Sequence, residues 1–541
     1  MKTVLLRTVP ILLVGSLVLA GCTKSDDPPA AAVNPCTPAT GVKPAKALAK
    51  CAVKSVAYVA NPTGSGTGVV IAEGSKRYIL TNLHVVDPYD SADVTLNGTT
   101  IKSVPVVGID SLADLALLGP VKSSVGTPLS ISDGTKISQG DDVFLVGYPG
   151  EAGGGKGGTP DDLEATVSSG IVSRTRTVKE FSQTFIQTDA SIAGGQSGGP
   201  LFDAKGDLIG ISGLSFADSQ FALALIGKKV ATVATAIAGG KSDDYARLPI
   251  SDTSKVKGGE KSGKVEFLDA SDSQMLYLPP SSDERTVTFT VDLAANPVVS
   301  ASDWIDGDPL AVSNNVLDVS NELAGKIAAS RGGDPQKLDD VSALGIDTKL
   351  QARETEPGTF TFPIAENEGA VINIDVPLTE DGVEVAWTST LPLWPASGTR
   401  KEQTVDLDQV VDHEFSSTDV DVDLLIDLTE GHKYELWARS AQGDVGFTVF
   451  APSVKLDPVN LADQTAEGID DFDDTDDGIY GLDAKTTYEA KESGTYRIRF
   501  YDNDGFTVTG RFTAIDCGSE KCDAKQAKDT PKKSSEKSTT K

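Results

Sequence analysis

Short apolar runs cut by glycine and aspartate dominate this chain, and their period is mostly two. Leu201-Phe202, a turn over Asp203-Ala204-Lys205-Gly206, and Leu208-Ile209-Gly210-Ile211 read as a β-hairpin. Arg285-Thr286-Val287-Thr288-Phe289-Thr290-Val291 alternates as a half-buried strand does. The same alternation runs through Asp419 to Leu424, Gly446 to Phe450 and Gly494 to Phe500. Helical spacing is rarer. Val230, Val233 and Ile237 predict a helix over 228–238. Val316, Val319, Leu323 and Ile327 predict a second, and Asp334-Pro335 opens a shorter one. Each stripe is read as a core face.

The places where the pattern stops divide the chain. Residues 22–45 are rich in Pro and Ala without a hydrophobic period, so they predict a flexible tether. A β-rich domain follows over 46–242, then a linker over 243–264. Residues 265–398 form a second β-rich domain with one or two helices, and 400–522 an all-β domain. A sandwich is the natural way to bury alternating strands of this last kind. The tail 523–541 is rich in Lys, Ser and Thr and is expected to be disordered. Gly150 to Gly158 reads as a glycine-rich surface loop; it lacks the Gly-Lys-Ser/Thr ending of a phosphate-binding loop.

Candidate chemistry sits in the first of these domains. Gly195-Gln196-Ser197-Gly198-Gly199-Pro200 frames a serine with glycines, which suits a nucleophile that a substrate backbone must approach. A serine needs a base, and the chain has 3 histidines: His84, His413 and His432. Gly-x-Ser-x-Gly also fits the elbow of α/β-hydrolases, where His413 or His432 would follow the serine. Pro200 and the hairpin after it argue against the elbow helix, and favour His84 upstream. Asp114, within Leu112-Ala113-Asp114-Leu115-Ala116-Leu117-Leu118, is the best acid, since a carboxylate in an apolar run needs a partner. Asp110 is the weaker rival.

These blocks together resemble the HtrA branch of the trypsin-like serine proteases. The resemblance rests on Gly66-Thr67-Gly68-Val69-Val70-Ile71, Thr81-Asn82-Leu83-His84-Val85-Val86, Asp114 to Leu118, Gly170-Ile171-Val172-Ser173 and Gln187 to Leu201. It covers about residues 50–242. It implies a chymotrypsin-type double β-barrel with the site between barrels, and a mainly β chain overall. It implies His84 as general base, Asp114 as its orienter, Ser197 as nucleophile, and the N–H groups of Gly195 and Ser197 as oxyanion hole. It also implies protein or peptide substrates. The family often has Asn where Gln196 stands, and Asn-Pro where Ala193-Gly194 stand. Gly194 and Gly195, two glycines in a row, predict a mobile oxyanion loop, which motivates an alternative: a latent protease fold acting as a binding or scaffold module. No carboxylate stands at Ser191, where the resemblance puts the base of the S1 pocket, and Asp189 is too early. A small or medium apolar P1 side chain is expected, not Lys or Arg. No PDZ pattern comes after the domain. Residues 400–516 weakly resemble the β-sandwich domains found C-terminal to secreted bacterial peptidases.

The N-terminus places this chemistry outside the cytoplasm. Lys2 and Arg7 precede an apolar run from Val9 to Ala20, too short to span a bilayer comfortably. Leu19-Ala20-Gly21-Cys22 looks like the lipobox of bacterial lipoproteins, so residues 1–21 are read as a signal peptide and Cys22 as the lipidated residue. The charge sum, 48 basic against 78 acidic residues or −30, excludes nucleic acid as a partner. Cys36, Cys51, Cys517 and Cys522 remain, and two local disulfides, Cys36–Cys51 and Cys517–Cys522, are the simplest of the three connectivities. No Cys and His cluster suggests a metal centre. The acidic turns Asp470 to Asp477 and Asp502-Asn503-Asp504-Gly505 are read as solvated loops, with one calcium ion as the other reading.

Overall fold

We describe a computed structural model of the chain. It describes residues 34–522 except 150–163, 179–181, 216–220, 244–246, 251–258, 270–271, 305–308, 313–353, 377–381, 399, 417–418, 420, 441–442, 457–467, 473–482, 504–506 and 520–521. Cys22, the glycine-rich loop, the helices expected after 313 and most of the acidic stretch from Asp470 to Asp477 therefore lie outside the described residues.

The first closed barrel comprises β1 (Val56–Ala60), β2 (Ser65–Glu73), β3 (Lys76–Thr81), β4 (Ser91–Leu96), β5 (Thr99–Asp110) and β6 (Leu115–Val121), in the order β1-β2-β3-β6-β5-β4. The second comprises β7 (Asp142–Gly147), β8 (Thr166–Val178), β9 (Gln183–Thr188), β10 (Pro200–Asp203), β11 (Leu208–Ser215) and β12 (Ala222–Ile226), in the order β10-β11-β12-β9-β8-β7. Taken from its other end, the second order repeats the first. The double barrel is the expected fold.

Alternation explains why the strands close this way. Val59, Val70, Ile79, Val94, Ala116 and Leu118 fill the first barrel. Val143, Leu145, Val172, Ile186, Leu201 and Ile209 fill the second. The residues that point the other way, such as Val69, Ile71, Leu80, Leu117, Val146 and Ile211, join Val230, Val233 and Ile237 in a core between the barrels. Strands β2, β3 and β6 thus bury both faces, and their sequences lose the polar alternate positions. The three helix residues lie on α2 (Gly227–Ala238), as their spacing predicts.

The stretch read as tether is fixed from Asn34 onward. The Asn34 side-chain amide donates to Gly206 O at 2.7 Å and to Asp207 Oδ1 at 3.1 Å. Cys36 is fully buried and bonded to Cys51 on α1 (Pro44–Ser55). Gly206 has φ +82°, and a Cβ there would stand 2.3 Å from Cys36 O, so only glycine permits the approach. A second disulfide joins Cys517 and Cys522.

The remaining chain builds two further β units. A nine-stranded sheet runs from Glu260 to Pro395, starting inside the stretch read as linker. Its long last strand, Val383–Pro395, pairs with Glu260–Phe267, Arg285–Val291 and Ser273–Leu278. Residues 401–518 then form a five-stranded and a four-stranded sheet around Leu424, Ile426, Leu436, Phe447, Phe500 and Phe512. That is the expected sandwich. A buried ion cluster welds it to the nine-stranded sheet. Arg400 bonds Asp269, Asp272 and Asp421 at 2.8 Å each, and Arg499 bonds Asp269 at 2.8 Å and Asp423 at 2.9 Å.

Candidate active site

Topology alone brings Asp114 to His84. Strands β3 and β6 are paired, with Thr81 opposite Ala116. The residues just after β3 and just before β6 must therefore be neighbours, and these are His84 and Asp114. Asp114 Oδ2 meets His84 Nδ1 at 2.8 Å, and Asp114 Oδ1 accepts the His84 backbone N–H at 2.9 Å. Asp114 O accepts from Leu83 N at 3.0 Å and from the Asn82 amide at 2.8 Å. One aspartate thus fixes ring and backbone of the histidine together. A ring that donates Nδ1–H to a carboxylate carries its lone pair on Nε2, where a serine proton can be taken.

Asp114 is not in the strand, as its apolar neighbours suggested. It precedes β6 with φ +48°, a left-handed conformation that aspartate tolerates better than most residues. The turn is what buries the carboxylate beside the imidazole: Asp114 is 3% exposed. Asp110 does other work, accepting the Ala113 N–H at 2.8 Å, and burial pushes its carboxyl above the usual range.

Ser197 lies between β9 and β10, the connection in the second barrel that matches the one carrying His84 in the first. A close seam joins the two. Thr67, on β2 and fully buried, donates its N–H to Ser197 O at 2.8 Å and its hydroxyl to Gly195 O at 2.8 Å. The same hydroxyl accepts the Tyr148 N–H at 2.9 Å. Gly198 has φ +81°, and a Cβ there would lie 2.0 Å from Thr67 O and 2.4 Å from Thr81 Oγ1. Glycine at 198 is therefore required by its contact with β2 and β3.

The loop before Ser197 is a turn closed by Gln196 N–H donating to Ala193 O at 3.1 Å, with Gly195 at φ +90°. Positive φ at the third position marks a type II turn, whose central peptide is flipped relative to type I. Gln196 ties this loop down, which residue type alone did not reveal. Its Oε1 accepts the Ala193 N–H at 2.8 Å, its Nε2 donates to Thr166 Oγ1 at 3.0 Å, and its carbonyl accepts the Ser212 hydroxyl at 2.9 Å. Ser191 and Asp189 are exposed, and Asp189 Oδ1 accepts the Ile171 N–H at 2.7 Å. His413 and His432 stand in the last sandwich, bonded to Asp419 at 3.3 Å and Asp516 at 3.2 Å. Among the described residues no His, Cys, Asp and Glu group could hold a metal ion.

The family model of the trypsin-like peptidase domain matches residues 66–211, which carry His84, Asp114 and Ser197. Residues 66–211 form a trypsin-like peptidase domain. This peptidase domain is similar to several curated bacterial proteins. The serine protease Do-like HtrA of Bacillus subtilis (strain 168) is 38% identical over 166 residues, 29% of this chain and 35% of that protein. The periplasmic pH-dependent serine endoprotease DegQ of Escherichia coli (strain K12) is 38% identical over 152 residues, 28% of this chain and 31% of that protein. The serine endoprotease DegS of the same strain is 35% identical over 158 residues, 29% and 41% of the two chains. The chain thus spans about a third of the length of the relatives it matches. Among solved structures, an HtrA-type protease AlgW with tripeptide is 30% identical, covering 35% of this chain and 61% of that one at a TM-score of 0.30.

Proposed function

We propose that this protein is a serine endopeptidase of the cell envelope that cleaves protein or peptide substrates through an acyl-enzyme. The observation that carries the reading is the double hold of Asp114 on the ring and backbone of His84, across a hydrogen-bonded seam from Ser197. Ser197 Oγ attacks the scissile carbonyl while His84 Nε2 takes its proton. The imidazolium, stabilised by Asp114, then protonates the leaving amine, and water hydrolyses the ester by the same route. The N–H groups of Gly195 and Ser197 stabilise the tetrahedral oxyanion.

Ser191, where the resemblance puts the base of the S1 pocket, carries no carboxylate, which supports a P1 residue other than Lys or Arg. The periplasmic name of the DegQ relative supports an extracytoplasmic location. Lipidation at Cys22 rests on the sequence before it, and fatty-acid labelling that survives Cys22→Ala would remove it.

The test is covalent labelling of the full chain by a fluorophosphonate, with cleavage of unfolded casein. Wild type should label and cleave, and Ser197→Ala should do neither. A folded wild type that does neither overturns the reading.

A further inference from the structure

The loop that carries His84 is held by parts of the chain hundreds of residues away. Leu83 O accepts both Val86 N–H and Asp87 N–H at 2.9 Å, so residues 83–87 form one bonded turn. The Asp87 carboxylate, 7% exposed, accepts the Thr507 N–H at 3.0 Å and the Thr507 hydroxyl at 2.9 Å. Thr507 immediately precedes the last strand of the sandwich, Val508–Gly518. Two residues on, Thr509 Oγ1 lies 3.0 Å from Ser111 Oγ, whose single proton is shared between Asp243 Oδ2 at 2.9 Å and Glu414 Oε1 at 3.1 Å. Glu414 is paired with Thr509 across the sheet. Ser111 belongs to the turn that ends in Asp114. One end of the four-stranded sheet therefore grips both turns that supply the base and its orienting acid. From the nine-stranded sheet, Trp304 Nε1 donates to the hydroxyl of fully buried Tyr89, and the Tyr277 and Trp304 rings pack edge to face at 5.1 Å.

Resting on the peptidase reading above, we infer that Thr507, through Asp87, is a positioning residue for His84, with Thr509 and Glu414 doing the same for Asp114 through Ser111. None of these sandwich side chains touches the reacting atoms. They act because each triad turn is short and bonded end to end, so a shift at Asp87 is carried through Leu83 to its neighbour His84. Orientation of the imidazole enters the rate directly, whereas uniform substrate binding does not. The expected mark is a loss in kcat with little change in KM.

Thr507→Val in the full chain keeps shape and the backbone donor but deletes the hydroxyl. Its rate of fluorophosphonate labelling, per folded molecule and below its melting midpoint, should fall about tenfold, the worth of one hydrogen bond to a charged acceptor. The pH midpoint of labelling should move with it, and Thr507→Ser should restore both. A merely structural role would lower the melting midpoint and leave rate and pH profile at wild-type values, and that result overturns the inference. Should Thr507→Val fail to fold, Ser111→Ala decides by the same rate measurement. A wild type that does not label removes the peptidase reading and this inference with it, whereas labelling equal in wild type and variant removes the inference alone.

Discussion

The turn bearing His84 and the turn bearing Ser197 occupy the same connection in two barrels of one topology, yet they are held in different ways. The Ser197 turn is closed by its own neighbours: Gln196 bonds Ala193 and Thr166, and Thr67 bonds both Gly195 and Ser197. The His84 turn is held within its domain by Asp114 and by the Asn61 amide, which donates to Val85 O at 2.9 Å, and from outside by Thr507 on Asp87. The difference teaches that the Ser197 turn is held wholly within the double barrel, while the His84 turn adds a contact with the C-terminal sandwich.

Asp114→Asn should break the comparison outright. It removes the carboxylate that both orients the ring and anchors the His84 backbone, and kcat should fall by about four orders of magnitude. Steady-state hydrolysis of a peptide ester checks this. A loss under tenfold would leave the acid unassigned.

Gln196→Ala should damage only the nucleophile side. Two side-chain hydrogen bonds disappear, each with a net worth of about 1 kcal/mol, so labelling should slow about thirtyfold. Its pH midpoint should stay put, because nothing at His84 has changed. A shifted midpoint would show that the two turns are not independently held.

The smallest effect is expected at the sandwich contact. Glu414 is an exposed residue, but partial burial of its carboxyl pushes it above the usual range, and neighbouring Asp243 adds to this. A carboxyl with a raised folded pKa binds its proton more tightly in the folded state. Its contribution to stability is therefore present below the unfolded pKa and lost as pH rises through the folded one. Glu414→Gln stays neutral throughout. Its melting midpoint should track that of wild type at low pH and exceed it slightly above the raised pKa; parallel curves would speak against a raised carboxyl there.

Much of the peptidase domain was legible because its chemistry is local. Ser197 among glycines, a histidine at Asn82-Leu83-His84 and an aspartate beside an apolar run each carry their reason in adjacent residues. The period of two predicted the strands and the sandwich, whereas the double barrel was what the family resemblance implied. Contact between distant segments was not legible. Thr67 looked like one residue of a strand motif, and Gln196 like a departure from the usual Asn. Nothing beside Thr507 announces Asp87, since a hydrogen bond across 420 positions leaves no local pattern. The segment at 34–43 misled for the same reason: its composition is that of a tether, but Asn34 and Cys36 find partners elsewhere.

The Arg400 and Arg499 cluster has a mechanical consequence. Breaking a buried pair by removing one partner typically costs about 3–5 kcal/mol, and here two guanidinium groups share Asp269 across the join of sheet and sandwich. Such a joint is stiff against sliding. Loss of either arginine should therefore loosen the sandwich against the sheet and, with it, the contact of Thr507 with Asp87.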